Sequence, residues 1–130
     1  MAPFLSKYSG PLYAAMRLVV GFLYFCHGAQ KLLGLFGGMD VGGKPLFQAA
    51  GIIETVCGAM IALGLLTPYA ALIASGEMAV AYFKFHFPGG IWPIMNHGEL
   101  PALFCFVFLY FSAHGSGALS LDAALSKARK

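Results

Sequence analysis

Four long apolar runs, separated by glycine- and proline-rich connections, constrain this sequence more than any other feature. They cover about residues 12–33, 46–66, 69–86 and 98–114. A helix needs roughly 20 apolar residues to cross the hydrocarbon core of a bilayer. Because backbone polar groups must bond internally in hydrocarbon, such runs become helices. The sequence therefore predicts an all-α fold, a transmembrane four-helix bundle that forms a single domain over residues 1–130.

The composition agrees with a lipid environment. Charged residues make up only 10% of the chain and hydrophobic residues 59%, whereas a soluble domain carries about 25% charged residues. The net charge of +3 comes from scattered basic residues, which argues against nucleic acid as a partner. The first run contains Arg17 and lacks a small-residue cleavage site after it, so we expect a retained anchor.

The connections between the runs carry helix breakers. A glycine-rich loop spans residues 34–45, and a second loop spans residues 88–97. Thr67 and Pro68 are expected to end the second run and allow a tight turn. After the fourth run, residues 119–130 are predicted to form a short C-terminal interfacial helix. Its candidate capping residues are Ser120 and Asp122.

An even number of spans places both termini on one side of the membrane. The basic residues expected on that side are Lys7, Lys127, Arg129 and Lys130. The opposite side holds Lys44, with Lys31 and Lys84 near it. The positive-inside rule then predicts that both termini are cytoplasmic.

Ionisable residues interrupt the apolar runs, where each is costly without a partner. Helices rise 1.5 Å per residue, so His27 lies about 9 Å, and Glu54 and Glu77 each about 12 Å, from the outer ends of their spans. These depths predict a polar cavity in the outer half of the bilayer. The other members of the set are Lys31 near the outer end, His97 and Glu99 at the mouth, and Arg17 toward the inner side.

Two interpretations of this cavity stay open. In one, Glu54 and Glu77 pair with Arg17 and Lys31 only to hold the helices together. In the other, the cavity binds a ligand or exchanges protons, as intramembrane ionisable residues commonly do.

Among ligands, a quinone needs apolar walls, an aromatic ring and a histidine, glutamate or lysine for its carbonyl. The candidate aromatic residues are Tyr24, Phe25, Phe83, Phe85 and Trp92. A metal site could use His27 and His97 with the carboxylates, but neither HxxxH nor ExxH occurs on one helix, and Lys31 would repel the ion. The histidines do not match in depth as haem ligands, and motifs for NAD or flavin are absent.

In order and spacing, several residues resemble the DoxX family of small four-span membrane proteins. They are Arg17, Gly21, Phe22, His27, Gly28, Lys31 and Gly34, then Gly51, Glu54, Gly58, residues 63–65 and Thr67, then Met78 and Ala81, and finally residues 115–122. The resemblance extends from about Met16 to Leu125. It implies a bacterial cytoplasmic membrane, association with thiosulfate or quinone oxidoreductases, and often an accessory role. Arg17, His27, Lys31 and Glu54 match the family pattern, whereas Glu77 and Glu99 come from the physical argument alone.

The predicted function is a redox-associated membrane subunit that binds quinone or a similar small apolar ligand in this cavity. His27 and Lys31 would hydrogen-bond the ligand, and Glu54 and Glu77 would exchange protons or set the charge of Lys31. The remaining predicted ligand contacts are Arg17 (also a structural counter-ion), Tyr24, Trp92, His97 and Glu99. The alternative is a non-enzymatic module, either a partner-docking subunit or a small-solute carrier, whose buried charges are structural. Whether the chain is itself an enzyme stays open, since its redox equivalents must come from a protein partner or bound quinone.

Overall fold

Helices connected by short turns account for the architecture. The computed structural model describes residues 3–129, and no strand occurs within that range, which confirms the all-α prediction. A 3₁₀ turn at Ser6–Tyr8 precedes α1, and a π-helical turn at Tyr82–His86 followed by a 3₁₀ turn at Phe87–Gly89 extends α3. The helices are α1 Ser9–Leu32, α2 Pro45–Leu63, α3 Thr67–Ala81, α4 Pro93–Asn96, α5 Glu99–His114 and α6 Leu121–Ala128.

Two of these helical segments are long and apolar enough to cross a bilayer. They are Ser6–Leu32 and Pro45–Leu63. Helix α5 is apolar but shorter, and α3 gains length only through its π-helical turn. The helical bundle is therefore observed, while the count of four spans stays a prediction.

The hairpin between α2 and α3 differs from the sequence prediction. Helix α2 ends at Leu63, because Gly64 adopts a left-handed conformation with φ of 73°. The Leu65 amide then bonds the Met60 carbonyl, a pattern that closes helix C-termini. Thr67 and Pro68 open α3 instead of ending the second run. Proline fits there because the first turn of a helix has no partner for the missing N–H.

Helix α1 packs closely along α2. A Cβ atom added to Gly21 would lie 2.5 Å from the Ala62 amide nitrogen, and one added to Gly58 would lie 2.6 Å from the Phe25 nitrogen. Gly28 meets the Thr55 backbone in the same way. Small residues allow this close approach between helices in lipid. Helix α3 packs mainly on α5, and the contact between α2 and α3 joins the two pairs.

Aromatic side chains fill the space between the helix pairs. Tyr24, Phe108 and Phe111 are fully buried. The Tyr24 ring lies 4.7 Å from the Phe108 ring, centroid to centroid, and the Tyr13 ring lies 5.5 Å from the Phe111 ring. These contacts hold α1 against α5.

Residues 115–122, which we call the C-terminal latch, cross one end of the bundle. The Arg17 guanidinium donates to the carbonyl oxygens of Ser116 and, at 2.9 Å, of Leu119. The Asp122 carboxylate accepts from the Leu66 amide at 2.9 Å. Ser120 caps α6 by accepting from the Ala123 amide at 3.2 Å, so the short, capped C-terminal helix is confirmed. The opposite end, which carries residues 33–44 and 87–98, is called the loop end below.

Candidate functional site: a polar cavity at the loop end

A cavity of about 530 Å³ lies between α1, α2, α3 and α5 toward the loop end. Its lining is mostly apolar. The polar and ionisable side chains that line it are Tyr24, His27, Lys31, Glu54, Glu77, His86 and His97. The depth count from the sequence thus indicated the correct half of the bundle.

The most strongly bonded polar group in the wall is an ion pair between α1 and α2. Lys31 Nζ lies 2.8 Å and 2.6 Å from the two carboxylate oxygens of Glu54. Both side chains are almost excluded from solvent, with 10% and 4% exposure. Gly51 allows α1 and α2 to approach closely at this point. A Cβ atom added to Gly51 would lie only 3.1 Å from the Cβ of Lys31. Lys31 also lies in the last turn of α1, where a helix favours positive charge.

A second polar pair joins α1 to α3. The Tyr24 hydroxyl donates to Glu77 Oε2 at 2.9 Å. The Tyr24 ring is held by Phe108 and, at 6.0 Å, by Phe104. The sequence predicted Tyr24 only as an aromatic contact and missed its hydrogen bond. The signal was available, because Tyr24 shares a helical stripe with Gly28 and Lys31 and matches Glu77 in depth.

His27 differs from both pairs. Its ring is half-buried, lines the cavity and approaches the Phe104 ring edge-on at 6.4 Å. Within residues 3–129 its side chain has no hydrogen-bond partner. An imidazole offers one donor and one acceptor when neutral, so His27 has hydrogen-bonding capacity to spare for a ligand.

Of the predicted ligand contacts at the loop end, His97 lines the cavity, although its side chain is exposed. Three other predicted contacts do not line it. Trp92 is 66% exposed and does not line it. Glu99 is exposed and lies outside the lining as well. Arg17 is buried at the latch end.

The predicted role of Arg17 as a counter-ion is corrected by its contacts. Its hydrogen bonds go to two backbone carbonyl oxygens of the latch. Within the described residues, the ion pair between Lys31 and Glu54 is the one observed, so neither Glu54 nor Glu77 balances Arg17. A carbonyl oxygen is a neutral acceptor, and the guanidinium therefore keeps its charge in this contact.

An asparagine that the sequence analysis did not single out organises the loop above the cavity. The Asn96 side chain donates to the Gly90 carbonyl at 2.8 Å and accepts from the Gly98 amide at 2.8 Å. The Nδ1 ring nitrogen of His86 lies 3.1 Å from the backbone carbonyl oxygen of Asn96. Asparagine commonly bonds backbone two residues away in turns, so an asparagine in this mostly apolar loop was the available signal.

Chemically, the cavity combines an apolar wall with donors, acceptors and proton-exchanging groups. Oxygen and imidazole groups are present, but within residues 3–129 no three of the histidine, cysteine, aspartate and glutamate side chains cluster as metal ligands. The arrangement suits a small, mostly apolar ligand with one or two polar atoms.

Comparisons with known proteins agree with this architecture. The family model DoxX matches residues 12–87. A Haemophilus influenzae protein named "Uncharacterized protein" is 42% identical over 91% of this chain and 93% of its own length. An "Uncharacterized membrane protein" of Mycobacterium tuberculosis is 31% identical over 90% of this chain and 83% of its own length.

A third relative carries a functional name. "Putative oxidoreductase CatD" of Bacillus subtilis is 26% identical over 88% of this chain and 87% of its own length. No solved structure matches the chain. The family match covers more than half of the sequence, from α1 to the π-helical turn, and the chain therefore belongs to the DoxX family of membrane proteins.

Proposed function

We propose that this protein is a redox-associated membrane subunit whose cavity binds a quinone or a similar small apolar ligand. The observation that carries the proposal is His27, a half-buried imidazole without a partner among the described residues, in the wall of a cavity of about 530 Å³. Cavities for small ligands measure about 300–1,000 Å³ and combine apolar walls with a few polar groups. A quinone headgroup matches both the size and the polarity.

The donors of the cavity suit a quinone carbonyl. An ammonium group has three N–H donors, and the two hydrogen bonds to Glu54 leave one on Lys31. His27 supplies another donor or acceptor on the same helix. A carbonyl oxygen between these side chains would therefore be hydrogen-bonded on entering the cavity.

Proton exchange would involve Glu77 and His27. Reduction of a quinone takes up protons along with electrons, so a nearby carboxyl or imidazole acts as the exchanging group. The Glu77 carboxyl accepts from Tyr24 through one oxygen, and its other oxygen has no partner in the described part of the chain. Electrons would come from a partner protein, because the sequence has no motif for NAD or flavin. The name of the Bacillus subtilis relative, a putative oxidoreductase, supports a redox setting.

The proposed location is the bacterial cytoplasmic membrane, with both termini in the cytoplasm. The latch contacts bring the end of the chain to the N-terminal half of α1. Lys7, Lys127 and Arg129 then lie at one end of the bundle, as the positive-inside rule requires for a cytoplasmic side. The cavity would open in the half of the bilayer away from the cytoplasm.

Extraction of bound quinone tests the proposal. The protein is purified in lipid nanodiscs, and quinone is extracted and measured per chain by chromatography. We expect near-stoichiometric quinone in the wild type and about tenfold less in His27→Ala, because a hydrogen bond is lost and a cavity polar group is removed. His114→Ala is the matched control, since this histidine lies at the other end of the bundle beside Tyr13.

A second candidate function is a non-enzymatic module, either a partner-docking subunit or a small-solute carrier. The bidentate contact between Lys31 and Glu54 favours it, since a closed ion pair can serve structure alone. Wild-type protein without quinone, together with unchanged solute or partner binding in His27→Ala, would support this function and rule out the first.

A further inference from the structure

The cavity has an opening in the side of the bundle between α2 and α3. Ala49 and Ile53 line it from α2, and Ile73, Gly76 and Val80 line it from α3. Ile73 and Val80 are 53% and 55% exposed, so these lining residues also reach the outer surface of the bundle. The spacing of three and four residues places each set on one helix face. We call this opening the lateral slot.

Gly76 keeps the lateral slot open. A Cβ atom added to this residue would meet nothing within 4 Å. The glycines between α1 and α2 are the opposite case, because a Cβ on Gly21 or Gly58 would collide with backbone atoms. Gly76 is therefore not needed for helix contact, and its missing side chain leaves space in front of the cavity.

Side chains and a hairpin bound the lateral slot at its two ends. At the loop end the Phe47 and Phe85 rings stack across α2 and the π-helical turn, with centroids 5.1 Å apart. At the other end the hairpin of residues 64–66 joins α2 to α3. Gly76 is about 14 Å from either end of the helical segment 67–86, and a bilayer core is about 30 Å thick. In the predicted four-span arrangement the opening would therefore face the hydrocarbon and not the headgroups.

The polar pairs lie directly behind the lateral slot. Glu54 follows Ile53 on α2, and Glu77 follows Gly76 on α3. A ligand that passes between the helices would meet an apolar rim first and the carboxylates next. This order matches a molecule with a polar head and an apolar tail.

We propose that the lateral slot admits a lipid-soluble quinone from the bilayer and holds its apolar tail, while the headgroup reaches His27 and Lys31. This inference rests on the proposed function and adds the substrate class, a quinone with a hydrocarbon chain. The tail remains between α2 and α3 and continues into the lipid. A hydrophobic chain stabilises such binding through each buried methylene group.

Photo-crosslinking of a tailed quinone tests the inference. The probe is a benzoquinone with a saturated octyl tail that ends in a diazirine, and the protein is embedded in nanodiscs. Labelling that an excess of unlabelled octyl quinone competes away is mapped by mass spectrometry. We expect competed labels within residues 46–53 and 73–80.

Filling the lateral slot should prevent this labelling. Gly76→Phe is expected to lower competed labelling at least about tenfold, since the ring occupies the space of the tail. Gly10→Phe is the matched control, because Gly10 also has nothing within 4 Å of an added Cβ and lies far along α1. Val80→Trp is a second slot variant, and circular dichroism of each variant checks that it folds.

The possible outcomes distinguish failure of the lateral slot from failure of the proposed function. Competed labels confined to residues 34–44 or 87–98, unchanged by Gly76→Phe but lost in His27→Ala, would overturn the lateral slot and leave the proposed function intact. No competed label in the wild type would overturn both. Equal competition by a single-chain phospholipid would mean that the lateral slot holds only lipid chains, which also overturns the inference.

Discussion

Helix α1 carries one buried cation near each end of the bundle, and the two have different partners. Arg17 donates to two backbone carbonyl oxygens of the C-terminal latch. Lys31 pairs with the Glu54 carboxylate at the rim of the cavity. The space beside Arg17 is filled, since a Cβ on Gly64 would lie 2.8 Å from Arg17 Cζ, whereas Lys31 lies in the wall of a cavity of about 530 Å³.

This difference shows that a cation in an apolar helix does not by itself mark a functional site. A guanidinium presents a rigid fork of donors that suits two fixed carbonyl oxygens. An ammonium is a compact charge that a carboxylate neutralises, and such a pair beside an open cavity can respond to a ligand. Arg17 therefore fixes a chain segment, while Lys31 contributes to the candidate site.

The largest effect is expected from breaking the latch contact. Arg17→Met should lower the free energy of unfolding by about 3 kcal/mol, because two carbonyl oxygens of the latch lose the donors of a buried guanidinium. Unfolding in mixed detergent micelles, followed by circular dichroism, measures the change. Arg129→Met is the control, since that side chain is exposed. A loss smaller than about 1 kcal/mol would mean that Arg17 is not the main support of the latch.

The ion pair of the cavity should show a smaller effect that a second substitution reverses. Lys31→Met should cost about 2 kcal/mol, since the buried Glu54 carboxylate loses two hydrogen bonds. Lys31→Met with Glu54→Met should recover most of that stability, because replacing a buried pair by apolar residues is often neutral. The same unfolding assay, run as a double-mutant cycle, measures the coupling. Additive losses would show that the two residues act independently.

Removal of the Tyr24 hydroxyl should have the smallest effect on stability. Tyr24→Phe should cost about 1 kcal/mol, the usual net value of one hydrogen bond. The loss of quinone binding in this variant, expressed as a free energy, should exceed its loss of folding stability, since Glu77 then lacks its donor inside the cavity. Tyr13→Phe is the matched control, because it removes the hydrogen bond to the Gly115 carbonyl at the latch. Equal quinone retention in the Tyr24→Phe and Tyr13→Phe variants would show that Glu77 does not contribute to ligand binding.

Local signals explain why the helices could be predicted from the sequence. Apolar runs and glycine-rich breaks placed α1 and α5 within about three residues of their observed ends. Proline was ambiguous, because the residue that ends one helix is equally suited to begin the next. Pro68 was assigned to the end of α2 for that reason and instead lies in the first turn of α3.

The site was harder to predict where it depends on distant residues. Lys31 and Glu54 are 23 positions apart on consecutive helices, so depth and facing were enough to suggest their contact. The Arg17 partners lie 99 and 102 positions away and are backbone atoms, which leave no signature in a side-chain pattern. The lateral slot depends on how far α2 and α3 separate, which periodicity does not encode.

The latch has a consequence for the order in which this protein is made. Arg17 leaves the ribosome well before its partners do, because synthesis proceeds from the N-terminus. Its acceptors at Ser116 and Leu119 follow 99 and 102 residues later. The guanidinium is therefore without these partners while α2 to α5 are made, and the latch is what satisfies it. A chain truncated before Ser116 would leave the Arg17 guanidinium without these two hydrogen-bond acceptors in its first helix.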